Sequence, residues 1–387
     1  MRIAVVSTMG ATPWGGSEEL WALMAGHALD DGHEVALFVH RWPELHPALR
    51  ALSERGARLY RRGRSYALAG ERMAGRVLRR PVRLSPPPVL SSFRHLYAWR
   101  PDVVVISEGT FFSFVHVGEV ADWLAESGTP YVPLVQYLSD AYGVADAFRE
   151  RAARFYGQAA RVAFVSAGNL ESGQRQLAAR LPNATVVQNP VKLVDAGPMP
   201  LPPAGPAQLA SVGRLAVGDK GQDVLLQTLG GPAWRGREWR LNLYGTGGDE
   251  GYLRALAGMY GVADRVAFHG HVTDVPSIWA ANHLLVMPSR AEGTPLALLE
   301  AMRCGRAAVV TDVGGNVEWV REGHTGFVAE APTARSFGAA LERAWAARAE
   351  WSALGRTAYD EAARRLDAEP GRTLLNMVTG AARAESD

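Results

Sequence analysis

Residues 289–302, SRAEGTPLALLEAM, constrain the fold more than any other stretch of the chain. An apolar run, LLVMP at 284–288, precedes them and reads as a buried strand. A helix signal follows. Thr294 is placed to cap, Pro295 suits the first helical position and Gly305 suits the stop. Glu292 therefore belongs to the loop at the strand's end. Glu300 lies about one and a half turns into the helix, at about 3.6 residues per turn. Between them, Gly293 and Thr294 offer backbone N–H groups at a helix N-terminus, which is an anion site. Carboxylates suit sugar or ribose hydroxyls and the helix end suits phosphate. One loop could thus hold both parts of a sugar nucleotide.

The spacing Glu292-(seven residues)-Glu300, reading EGTPLALLE and continuing AMRCG, resembles the E-x7-E signature of the retaining family-4 glycosyltransferases. The resemblance implies an α/β chain of the GT-B fold, with two Rossmann-like domains whose parallel sheets face each other across a cleft. It covers most of the chain, strongly over 211–328 and less so over 1–190.

The rest of the sequence is organised compatibly. Residues 3–8 read as a buried strand, residues 9–17 (MGATPWGGS) as a glycine-rich loop, 18–29 as a helix and 33–40 as a second strand. Gly15 and Gly16 allow close approach of a phosphate or sugar, and Ser17 can cap the helix. Further strands are expected at 102–106, 131–135 and 162–166, and residues 185–191 resemble the family segment that closes the first domain. Residues 196–206 hold five prolines and little apolar bulk, a linker composition. The domains are expected at 1–195 and 208–364, and in the GT-B fold residues from about 365 to 387 pack back onto the first.

The second half restarts the pattern. A strand at 209–212 leads into GRLAVGDKG, and Gly221 is expected to open the next helix. Arg214 and Lys220 flank this loop, and two cations beside backbone donors suit a diphosphate leaving group. A strand at 239–244 exits through the glycine turn at Gly245. His269 and His271 would share one face of a strand, but no third metal ligand is evident, and the expectation is that no metal is bound. The turn at 323–328 resembles a family hairpin or turn near the sheet edge. His116 and the single cysteine, Cys304, read as core residues. One cysteine also excludes an intrachain disulfide.

By resemblance, Glu300 holds the ribose and Glu292 the donor sugar's hydroxyls. Gly213, Arg214, Lys220, Gly293, Thr294 and Pro295 hold the diphosphate region, and Gly245 and Val272 frame the nucleotide. Gly15 and Gly16 close over the donor from the first domain. Arg214, Lys220 and Glu292 carry the catalytic assignment. The family commonly has a histidine after the 131–135 strand that reaches the donor sugar. Here the position is Gln136, which exchanges hydrogen bonds with a donor sugar or acceptor but cannot gain a proton.

Charge is unevenly spread. The chain carries a net +2, yet residues 50–100 hold thirteen arginines against two acids, +11, leaving −9 for the rest. Residues 65–80 suit a basic amphipathic helix. It could be a solvated insertion packed on its own domain, an acceptor contact, or a peripheral contact with an anionic membrane face. Confinement of the basic residues to one insertion argues against nucleic acid. No secretory signal opens the chain and no apolar run reaches the ~18 residues of a membrane span. The expected location is cytoplasmic, with the inner membrane face as the peripheral alternative.

The expected activity is a hexosyltransferase type. It moves a sugar from a UDP- or GDP-sugar to a hydroxyl of a small-molecule, glycan or lipid-linked acceptor, by front-face attack with retention and without a metal or other cofactor. Two alternatives stand beside it: a sugar-nucleotide epimerase or hydrolase, and a non-catalytic binder of nucleotide sugar or anionic polymer.

Overall fold

A computed structural model describes residues 1–10, 12–63, 91–139, 144–191, 193 and 197–383. The basic segment 65–80 lies outside the described residues. The chain divides into two compact units. The first comprises 1–165, 169–190 and 368–387, and the second 166–168 and 191–367.

The first unit is a seven-stranded parallel sheet. Its strands are β1 (Arg2–Ser7), β2 (Glu34–His40), β3 (Arg58–Arg62), β4 (Val103–Glu108), β5 (Tyr131–Val135), β6 (Val162–Phe164) and β7 (Ala184–Val186), ordered 3-2-1-4-5-6-7. The central strands are buried on both faces, so β1 and β4 read as continuous apolar runs rather than as an alternation, while edge strand β3 (RLYRR) stays partly exposed. Ile3 and Val5 enter one core with Leu20, Trp21 and Met24, while Ala4 and Val6 enter the other with Phe114, Phe155 and Phe164. The last helix, Pro370–Arg383, packs on helix Gly16–Asp30 and completes the first of these cores.

The second unit repeats the topology with six strands: β8 (Ala207–Val212), β9 (Trp239–Tyr244), β10 (Val266–Gly270), β11 (Leu284–Met287), β12 (Ala307–Thr311) and β13 (Gly326–Ala329), ordered 10-9-8-11-12-13. The order reverses between β1 and β4 in one sheet and between β8 and β11 in the other. Open α/β sheets bind ligands at such switch points, outside the carboxyl ends of the strands.

Residues 326–329 form a parallel edge strand paired with β12 rather than a hairpin. The units divide after Pro190, ahead of the proline-rich stretch. A buried guanidinium explains the difference. Arg306 is fully buried and donates to the carbonyls of Trp279 and Asn282, and also to those of Met199 (2.8 Å) and Pro200 (2.7 Å). The start of the linker is thereby tied into the second unit. Helix Trp351–Arg365 also stays with the second unit.

Candidate functional site

The β8 and β11 loops meet at the second switch point. The β8 loop is not a plain loop. It contains a one-turn helix, Val217–Lys220, which Gly221 ends in a left-handed conformation (φ 64°) before helix Gln222–Leu229 begins. Gly221 has a steric reason to be glycine, since a Cβ there would lie 2.0 Å from the Pro288 carbonyl oxygen. The two loops are laced together by backbone. Arg290 and Ala291 N–H both donate to the Asp219 carbonyl, at 2.7 and 3.2 Å. The Arg290 guanidinium grips Asp223 through two bonds, 2.6 and 2.8 Å, and also reaches the Val217 carbonyl.

These contacts place Lys220 against Glu292. Lys220 Nζ lies 2.7 Å from Glu292 Oε1 and 2.8 Å from Oε2. The Ser289 hydroxyl donates to Oε1 at 2.7 Å. The Glu292 side chain is 6% exposed and that of Lys220 is 23% exposed, so the pair is largely withdrawn from water. A buried carboxylate held this way is paired as burial demands, and its cation still borders solvent. Arg214 is more exposed and pairs with Asp219 at 3.0 Å. The two cations expected to face a diphosphate are therefore already matched to carboxylates. Either can pass to a stronger anion only by giving up its partner.

Helix Leu296–Arg303 starts later than the sequence suggested. Pro295 is its N-cap in an extended conformation (ψ 98°), and Thr294 precedes the cap. The ψ of Pro295 itself lies outside the helical range, which moves the start by one position. The unbonded N–H groups of the first turn are consequently those of Leu296 and Ala297, while Gly293 and Thr294 lie in the loop ahead. The Gly293 carbonyl accepts from Gly315 N–H at 2.9 Å, which holds this loop against the one after β12. Glu300 is half-buried within the helix, and Gly305, at φ 72°, follows its C-cap as expected.

On the other side, Gly213 (φ 153°) and Gly245 (φ 129°) bring the β8 and β9 exits into contact. A Cβ on Gly245 would lie 2.0 Å from the Gly213 carbonyl oxygen. Val272 is half-buried beside the core that includes Tyr244 and Met287. His269 stacks on Tyr244 at 4.5 Å and bonds Asn242 at 2.9 Å. The register shifts between Phe268 and Gly270, and Gly270 takes φ 67°, so the strand ends before His271 and the two histidines do not share a strand face. Among the described residues no group of three metal-ligating side chains occurs.

Gly15, Gly16 and Gln136 belong to the first unit. Gly15, not Ser17, is the N-cap of helix Gly16–Asp30, and no side chain caps it. The helix begins two residues earlier than expected, which carries Ser17 inside its first turn. Gln136 is 5% exposed, and neither polar atom of its amide has a hydrogen-bond partner. Two carboxyls near this sheet edge escaped the sequence reading. Glu18 is buried, accepts from Ser7 at 3.0 Å and has a second oxygen without a partner. Desolvation raises its pKa to about 7. Glu108, fully buried, accepts from Tyr156 OH and Phe114 N–H and is pushed up to about 8 by burial. An acidic residue within an otherwise apolar strand was the available signal for Glu108. Ser289, Asp219 and Asp223 carried none, because their roles depend on which loops meet.

Residues 206–347 match the family described as glycosyl transferases group 1. That stretch contains the whole Lys220–Glu292 site. An α-D-kanosaminyltransferase of Streptomyces kanamyceticus is 33% identical over 119 residues, 30% of this chain and 31% of that protein. The lipopolysaccharide core mannosyltransferase LpcC of Rhizobium leguminosarum is 40% identical over 92 residues, 24% of this chain and 25% of that one. The matches thus span about a third or less of these relatives' length. Likeness of fold extends further. Anabaena HepE, solved with UDP and glucose, has a TM-score of 0.72 at 18% identity over 98% of this chain and 100% of that one. Sucrose-phosphate synthase of Thermosynechococcus elongatus has a TM-score of 0.72 at 17% identity over 99% of both chains. The fold, two Rossmann-like domains of seven and six parallel strands, is GT-B.

Proposed function

We propose that the protein is a retaining glycosyltransferase that moves a sugar from a nucleotide diphosphate donor to an acceptor hydroxyl. The observation that carries the reading is the Lys220–Glu292 pair, held at the carboxyl ends of β8 and β11 by Ser289 and the laced loops. A diphosphate entering this edge offers Lys220 and Arg214 a doubly charged partner in place of one carboxylate each. Glu292, released from Lys220 but still held by Ser289, is then an acceptor for donor sugar hydroxyls. Glu300 is assigned to the ribose, and the helix N-terminus at Leu296 and Ala297 to phosphate oxygens. The likeness to HepE, solved with UDP and glucose, and to a kanosaminyltransferase favours the same chemistry.

The reaction breaks the bond between the anomeric carbon and the oxygen of the adjoining phosphate. The electron pair leaves with the nucleotide diphosphate, whose growing charge Lys220 and Arg214 oppose. The acceptor oxygen bonds the anomeric carbon from the face the phosphate left, and its proton passes to the departing phosphate oxygen. No enzymic nucleophile is assigned. The donor is a UDP- or GDP-sugar, the acceptor is taken by the first unit, and no metal is required.

The test is NMR of the reaction with UDP- and GDP-sugars and an acceptor panel, in EDTA. The reading expects a glycoside with the donor's anomeric configuration. An inverted product would overturn retention. Free sugar or an epimer formed at the same rate without acceptor would point to the hydrolase or epimerase alternative.

A further inference from the structure

At the carboxyl edge of the first sheet, one face ends in a row of polar side chains with little to bond. Val5, Val105 and Leu134 belong to the core that this face shares with helix Gly16–Asp30. Side chains alternate along a strand, so Ser7, Ser107 and Gln136, each two residues further on, fall on the same face. β1 and β4 pair with Ser7 opposite Ser107, and Gln136 N–H extends the β4–β5 ladder by a 3.1 Å bond to the Glu108 carbonyl. Glu18, in the first turn of the helix, joins the row through the 3.0 Å bond from Ser7. Neighbouring strands lie about 4.8 Å apart, so the row crosses about 10 Å of sheet.

Unmet hydrogen bonding sets this row apart. Ser107 Oγ, Glu18 Oε1 and both polar atoms of the Gln136 amide are buried without a partner among the described residues, and none of the three residues is more than 5% exposed. A buried polar group left unpaired carries its full desolvation cost, so a ligand that meets several at once is favoured by all of them. The set is chemically neutral. A hydroxyl and a primary amide each donate and accept, and burial holds Glu18 towards the protonated form, which does both as well. The Arg62 guanidinium is turned to the opposite face, stacked on Phe93 at 4.7 Å and donating to the Ser7 carbonyl. Groups that both donate and accept match the hydroxyls of a polyol. A phosphate or carboxylate offers acceptors alone and meets no cation in the row.

The cover over the row is a flexible one. Met9 N–H bonds Ser7 Oγ at 3.1 Å, which fixes the Met9 backbone at the end of β1. Its methyl group reaches between two glycines, 3.8 Å from where a Cβ on Gly15 would stand and 3.5 Å from that of Gly109. An unbranched thioether can swing aside where neither glycine presents a side chain. We propose that this row binds the hydroxyls of an uncharged sugar or related polyol through Ser107, Gln136 and Glu18, with Met9 as its movable cover. The transferase reading enters only in naming the source of those hydroxyls, the acceptor or the donor's own sugar.

The probes are glucose, galactose, mannose and myo-inositol, with glucose 6-phosphate and glucuronic acid as anionic counterparts, titrated against the full chain by saturation-transfer NMR. The variants are Ser107→Ala/Gln136→Leu, which removes three of the unpartnered atoms, and Glu18→Gln, which keeps a neutral group of the same shape. At least one neutral polyol should bind saturably, about tenfold or more tighter than either anionic sugar. The double variant should weaken it about tenfold or more, at an unchanged or higher melting temperature, because two or three hydrogen bonds are lost. Glu18→Gln should stay within about threefold. No saturable binding by any neutral polyol, tighter binding of the anionic sugars, or an unaffected double variant would overturn the proposal. So would binding lost only together with a lowered melting temperature, which would make the row structural, or binding lost in Glu18→Gln, which would mean that a carboxylate is read. Melting shifts sort the sources: if the row holds the donor's sugar, the double variant narrows the gap between UDP-glucose and UDP or between GDP-glucose and GDP, and if it holds the acceptor, that gap is unchanged. The same shifts keep the two claims apart. If the row fails alone, the shifts with UDP or GDP persist, and if the transferase reading fails, they are absent while the neutral polyol still binds.

Discussion

The two sheets share one strand order, yet their carboxyl edges treat buried acids in opposite ways. In the second unit Glu292 is paired with Lys220 and Ser289, and the glycines around it are sterically forced. In the first unit Glu18 and Glu108 have no salt bridge among the described residues, each keeps an unpartnered oxygen, and burial holds both towards the neutral form. The glycine loop above them is roomy. Gly15 is extended (φ −158°), and a Cβ there would come no closer than 3.8 Å to any neighbour. One edge thus pairs its buried acid and is tightly built, which suits the diphosphate recognition we propose. The other holds its buried acids towards the neutral form beneath a roomier glycine loop, which suits hydroxyl-bearing ligands whose shape varies.

The sharpest way to break this contrast is to unpair the second edge. Lys220→Ala leaves Glu292 buried without its cation and should cost about 3–5 kcal/mol by urea unfolding. Adding Glu292→Gln should recover most of that loss while donor turnover stays absent. A recovery of turnover would show the pair to be structural only. Next in size are the glycines. Gly245→Ala forces both a left-handed backbone and a Cβ 2.0 Å from the Gly213 carbonyl, and should lose roughly 3 kcal/mol or more. Gly15→Ala should stay within about 0.5 kcal/mol. Equal losses would erase the structural difference between the two edges.

Titration sharpens the comparison on the first unit. A carboxyl whose pKa is raised on folding makes the native state bind more protons than the unfolded state, so stability falls as pH rises. For Glu18 the fall starts above about pH 4.5 and is complete by about pH 7, and for Glu108 it ends near pH 8. At about 1.4 kcal/mol per pKa unit, Glu18 alone contributes a loss of about 3 kcal/mol. Hydrogen exchange at pH 5 and pH 8.5 should show this opening in residues 1–165, and Glu108→Gln should flatten it. The smallest effect concerns Gln136. Its amide is buried without partners, so Gln136→Leu should be neutral or stabilising by about 1 kcal/mol in thermal melts. A loss of 2 kcal/mol would mean that a hydrogen bond is made there in solution.

The legible part of the molecule was local. Continuous apolar runs bounded by glycines gave the strands, and the strand–loop–helix around Glu292 and Glu300 gave the site's position. Contacts between loops were not legible. Ser289 sits only three residues before Glu292, yet its bond is a matter of loop conformation, and Arg290–Asp223 links positions 67 residues apart. The helix start at Leu296 was missed because Pro295 suits both cap and first-turn positions, and its own extended ψ of 98° makes it the cap. Nothing in the sequence around Arg306 marks it as buried. Its burial arises from carbonyls that the linker, not the neighbouring sequence, brings to it. The two halves also differ here. In the second unit the polar residues that matter lie in motifs, while in the first they lie singly within apolar elements, as Glu108 does in β4.

The most direct test of a pre-charged donor edge is thermal unfolding with UDP, GDP, ADP, CDP and dTDP, with and without EDTA. One diphosphate should stabilise the protein selectively, by about 2.7 kcal/mol at a hundredfold excess over Kd. EDTA should make no difference, and the shift should vanish in Arg214→Ala and Glu300→Ala. Absence of any shift, or a shift that requires a divalent metal or survives Arg214→Ala, would contradict the account.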